Sequence, residues 1–298
     1  METPWGKLDV RDAHLHFFSH RFFSLLTGGR DPNEVCAQLA WTVPPVHPAE
    51  LATVWAGELD RNFVASAALI ASIPGDEESV AAAVASRQDR FHGYWMLNPL
   101  AEDAALRLSN ALAAGLRTVC LFPAMHRYSM AEDRFAPLWR MAEGTNVFVH
   151  CGVLSVGVRK RLGLPSAFDM RFSNPMDLHG VAARHPNVRF IVPHFGAGYF
   201  REALMLAGLC SNVYLDTSSS NGWMRYSESA LDLEQVFRKA LNVAGAKRLL
   251  FGTDSSFFPR GWVRSVFEEQ MAVLGRIGID KSDAAAIFGG NLAELQAE

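Results

Sequence analysis

Two histidines one residue apart, His14 and His16, stand near the start of the chain in the stretch Val10-Arg11-Asp12-Ala13-His14-Leu15-His16. Its alternation reads as a strand, and successive side chains of a strand point to opposite faces. Asp12, His14 and His16 are therefore expected on one face. Neutral imidazoles on a rigid strand can converge on one ion, because zinc and similar metals accept imidazole nitrogen at about 2.0–2.1 Å. A His-x-His pair alone is weak evidence, so the other candidate ligands decide. His150 and His194 each follow a short apolar run, and Asp254 follows Phe251-Gly252-Thr253.

The elements that must position these residues can be read from the same sequence. Strands are expected over Val10–His16, Asn62–Ala71, Phe91–Asn98 and Leu116–Phe122, then Val147–His150, Val188–Pro193, Asn212–Asp216 and Arg248–Gly252. Helical patterns alternate with them: Pro48–Arg61, Asp76–Arg90, Ala101–Ala114, Met130–Gly144, Asn174–His185, Ala197–Cys210 and Glu228–Ala244. Trp262–Ile277 and Lys281–Gln296 close the chain as further helices. Phe17 to His47, Cys151 to Ser173 and the polar stretch through Asn221 are expected as irregular loops, the first two long enough to be functional. Such alternation predicts parallel βαβ units and an α/β fold: a (β/α)8 TIM barrel with long active-site loops and an extra C-terminal helix, one domain over 1–298. A doubly wound sheet is disfavoured because no glycine-rich dinucleotide turn follows the first strand. In a barrel the C-terminal strand ends converge, and there lie His14, His16, His150, His194 and Asp254.

Composition narrows the class. The 298 residues are 49% hydrophobic and carry a net charge of −3, which gives no electrostatic case for nucleic acid or an anionic membrane. Four scattered cysteines, Cys36, Cys120, Cys151 and Cys210, have no paired-ligand spacing and fit a reduced, cytoplasmic protein. Residues 1–8 do not read as a signal peptide, and no apolar run reaches the ~18 residues needed to span a bilayer. The expected partner is a small-molecule substrate, and a homodimer is compatible with these features.

The sequence resembles the amidohydrolase superfamily, and within it the amidohydrolase-related branch that contains aminocarboxymuconate semialdehyde decarboxylase. The resemblance rests on Asp12-Ala13-His14-Leu15-His16, Val149-His150-Cys151-Gly152, Pro193-His194-Phe195-Gly196-Ala197-Gly198, Phe251-Gly252-Thr253-Asp254 and the closing Phe288-Gly289-Gly290-Asn291. It implies that His14, His16, His150 and Asp254 are metal ligands and that His194 acts in proton transfer. Asp12 is expected to orient an imidazole from behind. A mixed nitrogen and oxygen set suits one divalent ion, zinc first, with manganese or iron also compatible. Binuclear members bridge two metals through a lysine or glutamate on the fourth strand. Leu116–Phe122 has neither, the five lysines lie elsewhere, and Cys120 reads as a small core residue, so one metal is expected.

Two chemistries share this ligand set. In a metal-dependent hydrolase, His194 or Asp254 takes a proton from an activated water. In a non-oxidative decarboxylase, His194 helps protonate the carbon that loses carbon dioxide. Hydrolysis is the first expectation, being the wider chemistry of the superfamily. A catalytically inactive binding barrel is disfavoured because every motif position is filled. A carboxylate-bearing substrate would be held by an arginine fork, with Arg159, Arg161, Arg21 and Arg30 the candidates. Phe195 and Trp223, with Phe17, Phe18, Phe122, Phe257 and Phe258, are candidate pocket aromatics.

Overall fold

The computed structural model describes residues 1–218, 221–227 and 230–297. Its centre is an eight-stranded parallel sheet in which each strand pairs with the next in the chain: Arg11–His16, Ser66–Ala71, Phe91–Leu97, Thr118–Leu121, Asn146–Val149, Arg189–Val192, Val213–Asp216 and Leu249–Leu250. Backbone bonds from Ala13 N to Phe251 O (2.8 Å), Asp254 N to His14 O (3.0 Å) and His16 N to Ser255 O (2.7 Å) join the last strand to the first. The result is the expected (β/α)8 barrel. The helix Asn291–Ala297 sits under its N-terminal end: Leu292 and Leu295 fill the barrel interior, and Asn146 Nδ2 donates to Leu295 O at 3.1 Å.

The first strand does not follow simple alternation. Asp12 pairs with Ala67 and Leu15 with Leu69, so three steps on one strand match two on its neighbour. This bulge places Ala13 and His14 together on the inner side and returns Asp12 and Leu15 to the outer one. Ala13 accordingly packs among Ala68, Ile70 and Phe148 inside the barrel, and Leu15 packs in the surrounding layer. The expectation that Asp12 shares a face with His14 and His16 is therefore corrected. Its carboxylate accepts from the Trp262 indole at 2.8 Å and from Thr253 N at 3.1 Å, outside the barrel interior.

The two long loops are more ordered than expected. The first contains helices His20–Leu26 and Pro32–Leu39, capped by Ser19 and Asp31, with Pro32 at the first helical position. The second contains the helix Gly157–Arg161. Phe22, Phe23, Leu26, Val35, Cys36 and Leu39 repeat at helical spacing and pack with Val158 and Leu162 in an apolar cluster of their own. Neither short helix is stable alone, so each depends on that shared cluster. Pro48–Arg61 forms as expected, whereas the helix expected from Glu228 begins at Leu233, behind an Asp232–Gln235 capping box. Glu228, like Ser219 and Ser220 of the polar stretch, lies outside the described residues.

A buried side-chain hydrogen bond helps tie the first loop to the barrel. Ser19 Oγ, the cap of His20–Leu26, donates to Asp76 Oδ2 at 2.8 Å. Burial pushes the Asp76 carboxyl up to about 6, against the opposing effect of its Ser79 and Ser19 hydrogen bonds. Its folded state thus holds a proton more tightly than its unfolded state. The contribution is full below about pH 4 and is lost as pH rises through about 6. Urea unfolding between pH 4 and pH 7 should show a loss of about 2 kcal/mol from this group in the parent protein. Asp76→Asn should lack that component, and parallel curves for the two proteins would refute the assignment.

Candidate metal centre

His14, His16 and Asp254 offer ligand atoms that all lie within 4.8 Å of one another. His14 Nε2 is 3.3 Å from His16 Nε2, and Asp254 Oδ1 is 3.1 Å from His16 Nε2 and 3.7 Å from His14 Nε2. Ligands bound at about 2.1 Å in a tetrahedral arrangement lie about 3.4 Å apart, so this spacing fits one shared ion.

The opposite edge of each imidazole explains why these atoms face inward. His14 Nδ1 lies 2.7 Å from Asp216 Oδ2, a carboxylate that requires the proton on Nδ1. Ser72 Oγ donates to Ile70 O, so it accepts from His16 Nδ1 at 2.6 Å. Both rings therefore present an Nε2 lone pair to the centre, as a metal demands. The donor set fits a divalent cation.

The electrostatics agree. Burial opposes charging His14, but Asp216, with Asp254 and Asp12 behind it, outweighs burial and raises its pKa. Burial lowers His16 and His194, and for His150 the neighbouring His194 and His14 add to it, holding that ring neutral. Burial alone would raise Asp254; its histidine neighbours, His16 foremost, keep it far below the usual carboxylate range.

Glycine at 252 is a steric requirement of this seam. A Cβ there would lie 2.7 Å from His14 Cβ and 3.1 Å from Asp216 Oδ1. His194 is held just as firmly. Its φ of 54° begins a run of positive values through Ala197, pinned by Ala197 N to His194 O (2.8 Å) and Val153 N to Ala197 O (2.7 Å). His194 Nδ1 faces Ser218 O at 3.1 Å and Ser218 Oγ at 2.9 Å, which places its proton on Nδ1 and leaves Nε2 for the cavity.

His150 stands beside His194, with ring centroids 5.5 Å apart, and outside the three-residue group. Its Nδ1 is buried without a hydrogen-bond partner among the described residues, an atom able to donate or to ligate. Cys120 is buried inside the barrel, and burial drives its thiol well above the ordinary value, against use as a thiolate ligand.

A cavity of about 740 Å³ opens above these groups. Trp223, Phe18, Phe122, Phe257, Arg159 and Arg161 line it. Five other expectations are corrected. Arg21 donates to Gly75 O and Arg30 to Gln38, both outside the lining, because helix His20–Leu26 turns its apolar face to the cavity. Phe195 is fully buried between Phe200 and Phe237 and serves as the anchor of the His194 turn. Phe17 and Phe258 likewise pack away from the cavity.

The role expected of Asp12 belongs to Asp216 for His14; Asp12 bonds the His14 backbone nitrogen, at 2.9 Å, and no imidazole. Asp216, Ser218, Ser72 and Arg260 belong to the site by contact rather than by sequence motif. Asp216 alone carried a signal, as the acid at the end of the seventh strand.

A family model described as amidohydrolase matches residues 12–295. Protein fluG of Emericella nidulans is 38% identical over 87 residues, 29% of this chain but only 10% of that protein. Among solved structures, an uncharacterised TIM-barrel protein from Bordetella bronchiseptica superposes with a TM-score of 0.67 at 20% identity, covering 97% of this chain and 98% of that one. A probable 2-pyrone-4,6-dicarboxylic acid hydrolase from Acinetobacter baumannii gives 0.63 at 16% identity, covering 98% and 100%. A zinc-bound amidohydrolase from Burkholderia multivorans gives 0.57 at 17%, covering 97% and 99%. At these identities the likeness is one of fold.

Asp216→Asn keeps an acceptor for His14 Nδ1 and removes the charge. Zinc affinity, measured by competition with a chromogenic chelator, should fall by about 10- to 100-fold. An unchanged affinity would show that Asp216 does not support the ligand.

Proposed function

Because the chain belongs to the amidohydrolase family, we propose that it is a metal-dependent hydrolase of the aminocarboxymuconate semialdehyde decarboxylase-like branch, acting on a small carboxylate-bearing substrate. The observation that carries this reading is the convergence of His14 Nε2, His16 Nε2 and Asp254 Oδ1 at separations of 3.1–3.7 Å. In this reading those three residues hold one divalent ion, zinc first, with His150 completing the set through its ring. When bound, such an ion polarises a carbonyl and lowers the pKa of water towards about 7.

The chain's own residues do the rest. His194 offers a lone pair at Nε2, and its ordinary pKa near 6.5, lowered by burial, leaves it unprotonated at neutral pH. It takes the proton during attack and returns it to the leaving group, while Ser218 steadies Nδ1. Asp254 is the alternative acceptor. Trp223 and Phe122 limit water in the cavity. The Acinetobacter neighbour's name, a probable hydrolase of a ring dicarboxylic acid, and the zinc in the Burkholderia neighbour support the reading.

A second reading rests on the apolar interior. Met96, Phe122 and Phe148 line the cavity beside the histidines. An apolar wall raises the energy of a carboxylate and favours loss of carbon dioxide. That is the decarboxylase chemistry, in which His194 Nε2 takes a proton from water and passes it to the carbon that loses carbon dioxide.

The test is turnover of a panel of cyclic carboxylate-bearing esters, amides and β-keto acids by zinc-loaded protein in ¹⁸O-water. One labelled oxygen in the product without carbon dioxide is expected. Stoichiometric carbon dioxide would replace the hydrolase by the lyase, and no turnover at all would overturn both. His194→Asn should retain the metal and lose at least ~100-fold in kcat. His14→Ala and Asp254→Ala should lose the metal itself, as read by elemental analysis. Metal loss in His194→Asn would make His194 a ligand.

A further inference from the structure

The helix Arg264–Ile277 packs outside the barrel and turns Val266, Phe267, Val273 and Leu274 inward. Gln270 stands in the middle of that apolar stripe and is fully buried. An amide in such a place is costly unless both of its ends are bonded. Both are, and to the same residue. Thr217 Oγ1 donates to Gln270 Oε1 at 2.7 Å, and Gln270 Nε2 donates to Thr217 O at 2.7 Å. The carbonyl can only accept, so it takes the Nε2 end, and the orientation of the amide is fixed.

Thr217 is joined to the metal centre by a rigid unit. Its carbonyl and the Ser218 N–H belong to one planar peptide group. Gln270 holds the oxygen edge of that plane, and on the opposite edge Ser218 N donates to Asp216 Oδ1 at 2.6 Å. Asp216 Oδ2 in turn meets His14 Nδ1 at 2.7 Å. Ser218 Oγ lies 3.0 Å from His14 Nδ1 and 2.9 Å from His194 Nδ1. The seventh strand ends at Asp216, and the bond from Thr217 N to Leu250 O (2.9 Å) is its last tie to the eighth among the described residues. The plane that follows takes its orientation from Gln270. The helix is a firm reference for it, because the segment leading into the helix is bonded to the other side of the first strand, Trp262 Nε1 to Asp12 Oδ2 at 2.8 Å.

We propose that Gln270 is a positioning residue of the metal centre. It sets the Thr217–Ser218 peptide plane, the plane sets the Asp216 carboxylate, and the carboxylate aims the Nε2 lone pair of His14. The bond to the Thr217 carbonyl does this; the bond from the hydroxyl only fastens the amide. The inference rests on the reading of His14, His16 and Asp254 as metal ligands, and it carries the determinants of that site out to a helix none of whose residues lines the cavity.

Zinc affinity, measured by competition with a chromogenic chelator beside urea unfolding of the same metal-free proteins, tests it. Gln270→Met fills the same space, makes neither bond and should lower zinc affinity by about tenfold. Where Met is not tolerated, Gln270→Asn, whose amide is drawn back one methylene from the carbonyl, should do the same. Thr217→Val removes the hydroxyl and leaves the carbonyl bond. It should lose stability as Gln270→Met does, yet keep zinc affinity within about threefold of the parent. In an Asp216→Ala background Gln270→Met should lower zinc affinity no further, because its path runs through that carboxylate. An equal loss in Thr217→Val, or a further loss of about tenfold on top of Asp216→Ala, overturns the proposal. A parent protein that takes up no stoichiometric zinc overturns the metal-centre reading and this inference with it. Stoichiometric zinc held as tightly by Gln270→Met as by the parent overturns this inference alone.

Discussion

The hydrogen bond between Asp216 and His14 Nδ1 is the contact on which the rest of the site depends. It fixes the tautomer of His14, turns its Nε2 towards His16 and Asp254, and gives the buried Asp216 carboxylate a donor. Without it His14 would be an imidazole free to rotate, and the buried Asp216 carboxylate would keep Ser218 N as a donor but lose the imidazole, which is the more costly fault. Ser218 extends the constraint. Its hydroxyl lies 3.0 Å from His14 Nδ1 and 2.9 Å from His194 Nδ1, so the two rings are aligned by one atom.

The barrel supplies what that bond needs. The seventh strand brings Asp216, the bulged first strand brings His14 inward, and Gly252 on the chain leaving the eighth strand leaves room for both. On the outer side of the same seam, Asp12 gathers Trp262, Thr253 and the His14 backbone. A polar network lies on each side of one strand, and each is satisfied locally. Low-dielectric surroundings strengthen such bonds and penalise any missing member, so the seam is rigid where the ligands are attached.

Above the rigid floor the cavity is walled by loops that are helical only because they pack together. Their apolar cluster holds Phe22 and Leu26 at the cavity while Trp41 stacks on Phe257 from the far side of the chain. In the proposed reading the floor carries the chemistry, and the loops shape the cavity above it. This division is usual for a barrel, whose strand ends are fixed and whose loops vary.

The sequence by itself determined the periodic features. Alternating strand and helix patterns fixed the barrel, because apolar periodicity is a local property of the chain. His14 and His16 were legible as a His-x-His pair on the first strand, and His150, His194 and Asp254 as residues that follow short strand patterns, because strand ends converge in this fold. Only the tertiary structure decided the rest. The bulge that sends Asp12 outward arises from pairing with the second strand and leaves no mark in the alternation. Asp216 and Ser218 matter through contacts with residues some 200 positions away, and Arg260 through the ring it covers and the carbonyl it holds. Arg21, Arg30 and Phe195 had suitable chemistry and the right neighbourhood in the chain. Which way a side chain points is set by what its helix or turn buries, and that is fixed by packing rather than by sequence order.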